Sequence, residues 1–431
     1  MKYYSLNNSR HISSFENAVL KGLAPDKGLY FPKEIPLLPA EFLDNLGTKT
    51  KQEIAHEVIS PFIGDEIQQA ELEKIIDHTL DFEFPVVQVE DNIHTLELFH
   101  GPTMAFKDVG ARFMAGCLGY FIQKGDHGKV TVLVATSGDT GGAVANGFLG
   151  VEGIEVVILY PKGKVSDIQE KQLTTLSQNI TALEVDGNFD DCQEFVKKAF
   201  LDEDIKAKRQ LTSANSINVA RWLPQMFYYF LGYQQLESTS KDVVVSVPSG
   251  NFGNICAGLL AHRMGLPISH FIAANNANDV VTRYLSSANY QPSASIATIS
   301  NAMDVGDPSN FVRVLELFSN NFSDIKSAVS SYSFSDDQTR AAIKQVHSRT
   351  GYIMDPHGAV GYLGLNEYLK GRPEAIGVFL ETAHPVKFLQ TVEDVLQQKI
   401  PIPEVIQELI KKEKQVVAIG NYEELKAYLT D

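Results

Sequence analysis

Cysteine is scarce in this 431-residue chain, and Cys117, Cys192 and Cys256 are the only three. They are too few and too scattered for a disulfide framework or a zinc site, so reduced, buried thiols in a cytosolic protein are expected. No run of about 18 apolar residues is present to span a bilayer. The opening Met1-Lys2-Tyr3-Tyr4-Ser5-Leu6 lacks the apolar core of a secretory signal. A soluble, cytoplasmic protein with no membrane partner is expected. Positive charge is also in short supply: 37 Lys+Arg stand against 53 Asp+Glu, a formal net charge of −16. Polyanions are held by Lys/Arg clusters, and none of the needed size occurs, which excludes nucleic acid as a partner. A small anion would have to be attracted locally, against the field of the whole molecule.

What is there is ordinary globular material, 44% hydrophobic and 21% charged, enough for two or three domains. The first 85 residues read as mostly helical. Phe15, Val19, Leu20 and Leu23 follow Ser13-Ser14 at helical spacing, and two further stripes run through Ile54–Ile63 and Leu72–Leu80. From about residue 86 short β-rich runs alternate with helical stretches: 95–99, 130–135, 156–160, 243–247 and 376–380. Such alternation predicts an α/β fold with mostly parallel open sheets covered on both faces. The expected division is a helical N-terminal domain over 1–85, a small α/β domain over 100–205, and a large one from 86–99 and 206–431.

Ligands of doubly wound sheets bind where strands end and helices begin. Two such junctions carry unusual loops, Thr136-Ser137-Gly138-Asp139-Thr140-Gly141-Gly142 and Pro248-Ser249-Gly250-Asn251-Phe252-Gly253-Asn254. Each places free backbone N–H groups and small polar side chains at a helix N-terminus, a natural anion site. Neither loop closes with Gly-Lys-Ser/Thr, and neither fits Gly-x-Gly-x-x-Gly, so ATP-type magnesium chemistry is not indicated. Ala135 and Val247 stand two residues before Ser137 and Ser249, so a nucleophile elbow is absent as well. His56-Glu57 would open a zinc-protease helix only with a histidine one turn later, where Ser60 stands. No metal site is indicated.

A third element follows the 95–99 run: His100-Gly101-Pro102-Thr103-Met104-Ala105-Phe106-Lys107-Asp108. Alone, Lys107 reads as a surface lysine paired with Asp108. Joined to two phosphate-type loops, it suggests an amine nucleophile for a cofactor bearing both an aldehyde and a phosphate. Pyridoxal phosphate fits that description.

These residues resemble the threonine synthases of the bacterial and fungal branch. The resemblance rests on the Lys107 segment, both glycine loops, Gly28-Leu29-Tyr30-Phe31-Pro32, Ser213-Ala214-Asn215-Ser216-Ile217-Asn218, Ser300-Asn301-Ala302-Met303-Asp304 and Glu381-Thr382-Ala383-His384-Pro385-Val386-Lys387-Phe388. It implies pyridoxal phosphate in a fold of the tryptophan-synthase β-subunit type, and conversion of O-phospho-L-homoserine and water to L-threonine and phosphate. By the same resemblance Lys107 holds the cofactor and then shuttles protons. Gly250, Asn251, Phe252, Gly253 and Asn254 cradle its phosphate, Ser249 is a further cofactor contact, and Thr382 meets its ring nitrogen. Asp139 is expected near its phenolic oxygen, although a carboxylate among anion-binding donors needs a compensating proton or hydrogen bond.

For the substrate, Ser137 and Thr140 are expected at the carboxylate, and Ser216, Asn218 and Arg221 at the phosphate. The bland alternative for Arg221 is a surface ion pair. His357 and His384 are expected as core histidines bonded to backbone. Two other functions stay open at this point: a dehydratase or β-replacing synthase of the same fold type, and a non-enzymatic anion-binding regulator. A monomer or homodimer is expected.

Overall fold

The computed structural model describes residues 1–125, 128–236 and 241–431. Its strands, in chain order, are β1 (Tyr3–Ser5), β2 (Ile12–Ser13), β3 (Tyr30–Pro32), β4 (Val86–Glu90), β5 (Ile93–Glu97), β6 (Val130–Ala135) and β7 (Ile154–Pro161). They continue with β8 (Ile180–Val185), β9 (Gln210–Thr212), β10 (Val243–Pro248), β11 (His270–Asn275), β12 (Val329–Ser333), β13 (Ile376–Glu381) and β14 (Val417–Ile419). They form three sheets, ordered β2-β1-β3, β12-β11-β10-β13-β5-β4 and β14-β8-β7-β6-β9. The five-stranded sheet is parallel throughout. The six-stranded sheet is parallel except where edge strand β4 runs against β5. Every residue of β6 and of β10 is buried, which is why both read as unbroken apolar runs.

The N-terminal segment has its expected helices, Phe15–Lys21, Lys51–Ile63 and Gln69–Thr79. Ser14 caps the first by accepting from the Asn17 N–H. The segment also contains the β2-β1-β3 sheet, which the mostly helical reading does not resolve, because strands of two or three residues carry no readable period. A second difference lies at the other end of the chain. Gln210–Thr212 pairs with β6, and Val417–Ile419 pairs with β8. Leu425 and Leu429 of the closing helix Tyr422–Thr430 then pack with Leu133, Val157 and Leu183. Two pieces of the range 206–431, expected in the large domain, thus complete the five-stranded sheet. An edge strand of three residues joins whichever sheet leaves an edge open, and that choice is tertiary. Among the described residues no helix is long and apolar enough to cross a membrane.

One apolar cluster runs from Tyr3 and Phe15 through both larger sheets to Leu380. Arg313 adds a polar staple to it. Its side chain is wholly buried, lies 4.4 Å over the Trp222 ring, and donates to the carbonyls of Tyr30, Ser216 and Ile217 and to the Asn310 amide oxygen. A buried cation answered only by carbonyl oxygens is stable as long as each bond is made. Arg313→Met is therefore expected to lower unfolding free energy by about 3–5 kcal/mol, since it strands several buried acceptors at once. Denaturant titration checks this, and a loss under 1 kcal/mol would contradict it.

Candidate active site

The carboxyl ends of β5, β6, β10 and β13 lead into the turns that carry the singled-out residues. Lys107 is the first residue of helix Lys107–Lys124. Its turn is fastened to the segment after β13: Ala105 bridges Ala383, the Phe106 N–H donates to the Thr382 carbonyl (2.9 Å), and the His384 N–H donates to Met104 (3.1 Å). Lys107 and Thr382 are thereby neighbours across two chain segments. Thr382 is 5% exposed, and no hydrogen bond among the described residues engages its hydroxyl. Lys107 does not form a surface pair with Asp108. The Asp108 carboxylate is buried and accepts from the Thr103 N–H (2.9 Å) and hydroxyl (2.5 Å). Burial lowers the Lys107 pKa to about 8; Asp139 works to raise it, while Arg221 and Lys387 work with burial to lower it.

The loop after β10 is an open row of donors. No protein acceptor among the described residues engages the backbone N–H groups of Gly250, Asn251, Phe252, Gly253 or Asn254. They lie at the start of helix Gly253–Arg263. Phe252 holds the left-handed conformation, φ 61°, with its ring buried 5.6 Å from that of Phe311. The loop's side chains mostly shape it. The Ser249 hydroxyl donates to the Val247 carbonyl, and the Asn254 amide donates to Pro248 and accepts from Ile255. The Ser249 proton is thus already used, which leaves the backbone N–H groups as the loop's open donors. Asn251 accepts from the Ser309 N–H (2.7 Å) and donates to Ser216 (3.2 Å).

The loop after β6 is built around a residue that sequence reasoning passed over. The Thr136 hydroxyl accepts from the N–H groups of Gly138 (3.0 Å) and Gly141 (2.9 Å), which leaves those of Ser137, Asp139 and Thr140 without acceptors among the described residues. The hydroxyls of Ser137 and Thr140 are likewise uncommitted, and both residues are partly exposed. Gly138 takes φ 139°, and Gln169 passes so close that a Cβ would meet its Cδ at 2.5 Å. Gln169 donates to Asp139 Oδ1 (3.0 Å), and Lys387 pairs with the same oxygen at 2.7 Å. Burial tends to raise the Asp139 pKa, but the ammonium groups of Lys387 and Lys107 and the hydrogen bonds from Lys387 and Gln169 hold it well below the usual carboxylate range.

Arg221 is 3% exposed in the short helix Val219–Trp222. Its Nε and Nη1 are buried without hydrogen-bond partners among the described residues, and burial lowers its pKa to about 10. A surface ion pair is excluded. The guanidinium lies against Gly110, one turn along from Lys107, where an added Cβ would sit 2.6 Å from the Arg221 carbonyl and 3.1 Å from Nε. Ser216 Oγ accepts from Asn251 and Asn310 and keeps its own proton free. Asn218 departs from expectation. It caps the Arg221 helix by accepting from Ala220 and donates to the carbonyls of Val19 and Ser213. Every polar atom of its side chain is used structurally, which corrects its assignment to the substrate. His357 and His384 accept from the N–H groups of Ala302 and Val386. No group of three or more potential ligands among the described residues could hold a metal ion.

A free amine, two rows of unanswered N–H groups and an unpaired buried guanidinium thus meet at one edge of two sheets. The comparisons with known proteins bear on the chain as a whole. Residues 2–80 match the family model "Threonine synthase N terminus", 88–379 "Pyridoxal-phosphate dependent enzyme" and 358–429 "Threonine synthase, C-terminal". The threonine synthase of Haemophilus influenzae is 45% identical over 435 residues, covering 100% of this chain and 99% of its own. The chain belongs to the threonine synthase family. The crystal structure of the Escherichia coli threonine synthase superposes with a TM-score of 0.93 at 42% identity, covering 100% of this chain and 99% of that one. A structure titled as pyridoxal-phosphate-bound threonine synthase from Brucella melitensis gives 0.93 at 36%, with the same coverage. This chain is accordingly a pyridoxal-phosphate-dependent enzyme of fold type II, and full-length likeness disfavours both the dehydratase-like and the regulatory alternatives.

Sequence reasoning left Lys387 out of the site, although it lies in a quoted motif, six residues past an apolar strand that ends in Glu381. A lysine so close behind a buried strand is the signal that could have found it. Two outcomes are expected from this geometry. In cofactor-free protein, the Lys107 amine should acylate with a pH midpoint near 8, well below that of exposed lysines, as read by peptide mass spectrometry. Gly110→Ala should displace Arg221 and weaken binding of phosphate-bearing ligands by about tenfold or more, while Lys107 acylation persists.

Proposed function

We propose that this enzyme, acting in the cytoplasm, converts O-phospho-L-homoserine and water to L-threonine and phosphate. Arg221 carries the reading: a buried cation with two unanswered nitrogens has an oxyanion as its natural complement. The five free N–H groups from Gly250 to Asn254 suit a second phosphate, that of pyridoxal phosphate, and Asn251 orients them through Ser309. Lys107 is the amine that would attach the cofactor, and the uncommitted Thr382 hydroxyl would meet its ring nitrogen. When bound, pyridoxal phosphate supplies an electron sink for negative charge developing at the substrate's carbons.

The chain's own residues account for the rest. Ser137 and Thr140, with their N–H groups, would receive the α-carboxylate. Arg221 and the free Ser216 proton would hold the substrate phosphate and stabilise it as it leaves Cγ. Lys107, on a flexible four-carbon stem, would take the proton from Cα and pass it on, then take one from Cβ. It would return one to Cγ after phosphate leaves and one to Cα once water has added at Cβ, the remaining proton of water going to the released phosphate. An amine with its pKa near 8 serves as both acid and base close to neutrality.

Borohydride reduction of the holoenzyme should fix the cofactor on the Lys107 peptide, and Lys107→Ala should retain none. Persistence of a reducible adduct in that variant would sink the assignment. Arg221→Ala should cut kcat/KM on phosphohomoserine by about a hundredfold or more and affect serine or threonine turnover far less. Equal losses on all three would favour a dehydratase.

A further inference from the structure

Asp139 and Lys387 come from opposite sides of the site. Asp139 opens helix Asp139–Gly147 after β6 of the five-stranded sheet, and Lys387 lies in the short turn Pro385–Phe388 after β13 of the six-stranded sheet. Their side chains are 4% and 0% exposed and meet at 2.7 Å. Lys387 Nζ also donates to the Thr103 carbonyl at 2.8 Å, and Gln172 donates to that carbonyl at 2.9 Å. Thr103 in turn grips Asp108, the residue after Lys107. A single ammonium therefore ties the substrate-side loop, the Lys107 turn and the end of β13 together. Asp139 stands among uncommitted donors suited to anions, where an unanswered carboxylate would oppose binding.

We propose that Lys387 is a positioning residue of this site: its ammonium cancels the charge of Asp139 and pins the Ser137–Thr140 loop to the Lys107 turn, so that the carboxylate neither repels an anionic ligand nor holds the Lys107 ammonium in a tight pair. The charges facing Lys107 are consistent with this. Asp139 comes from the helix after β6, Arg221 from the helix Val219–Trp222, and Lys387 from the turn after β13; Asp108 on its own helix is occupied by Thr103. With Lys387 present, the attraction of Asp139 is offset and the amine gives up its proton more readily. Without it, the sign is clear: Lys107 loses a like charge, its pKa rises, and less of it is neutral at pH 7. A merely structural bridge would not move that midpoint.

The inference rests on the reading of Lys107 as the cofactor-bearing amine, and its test is independent of that reading. Acetic anhydride labelling of the Lys107 peptide is followed against pH in cofactor-free wild type, Lys387→Gln, Asp139→Asn and the double variant, with cooperative thermal melting confirming fold. Lys387→Gln should raise the midpoint and slow labelling at pH 7 by about three- to tenfold, a pKa unit being a factor of ten. Asp139→Asn should lower the midpoint, and the double variant should return toward wild type. An unchanged midpoint in Lys387→Gln, or a double variant no closer to wild type, overturns the proposal. Should Lys387→Gln fail to melt cooperatively, Asp139→Asn decides alone: a lowered midpoint supports the proposal and an unchanged one overturns it. Borohydride labelling, by contrast, fails only if Lys107 does not carry the cofactor.

Discussion

A parallel strand buried on both faces must hand its chain to a helix at its carboxyl end, and that helix begins with N–H groups it cannot satisfy itself. The arrangement here follows from that constraint. β6 and β10 each end in a loop with several N–H groups that no acceptor among the described residues engages, and β5 and β13 end beside them in turns bonded to one another. Water or a ligand must complete these groups. The two rows belong to different sheets, and the Asp139–Lys387 pair joins the loop after β6 to the segment after β13.

Electrostatics inside the cleft runs opposite to that of the whole chain. The net charge of −16 lies mostly on a surface that salt screens over about 8 Å. Within the site stand Lys107, Lys387 and Arg221; Asp139 faces the two lysines, and Asp108 is the carboxylate that acts on Arg221. The overall acidity therefore turns away polyanions yet leaves a small phosphate ester free to bind.

Much of the fold was legible because the central strands are apolar and bounded by turn residues. β6 was found to the residue, and β7, β10 and β13 to within two or three. The sheet memberships of β9 and β14 were not, since three residues carry no period and the open edge they fill is set by distant strands. Among site residues, the glycine loops and Lys107 stood out by local composition. Thr136 did not, since a threonine ending a β-rich run is commonplace until its hydroxyl is seen to accept from Gly138 and Gly141. Asn218 misled for a related reason: an asparagine before an arginine looks like a ligand donor, and only packing against Val19 shows it to be a cap.

The identity of the donors was thus written in the chain: glycine where backbone must approach a ligand, lysine after a Gly-Pro turn, arginine in a polar cluster. Local patterns such as strand period, helix caps and tight turns depend on neighbours a few residues away, and these can be read in order along the sequence. Which charges face each other cannot. That Asp139 is neutralised by Lys387, that Asp108 is claimed by Thr103, and that Arg221 is left unanswered beside Gly110 all result from segments remote in sequence meeting where two sheets end. Coulomb energy and desolvation depend on distances in space, and those exist only once the chain has folded.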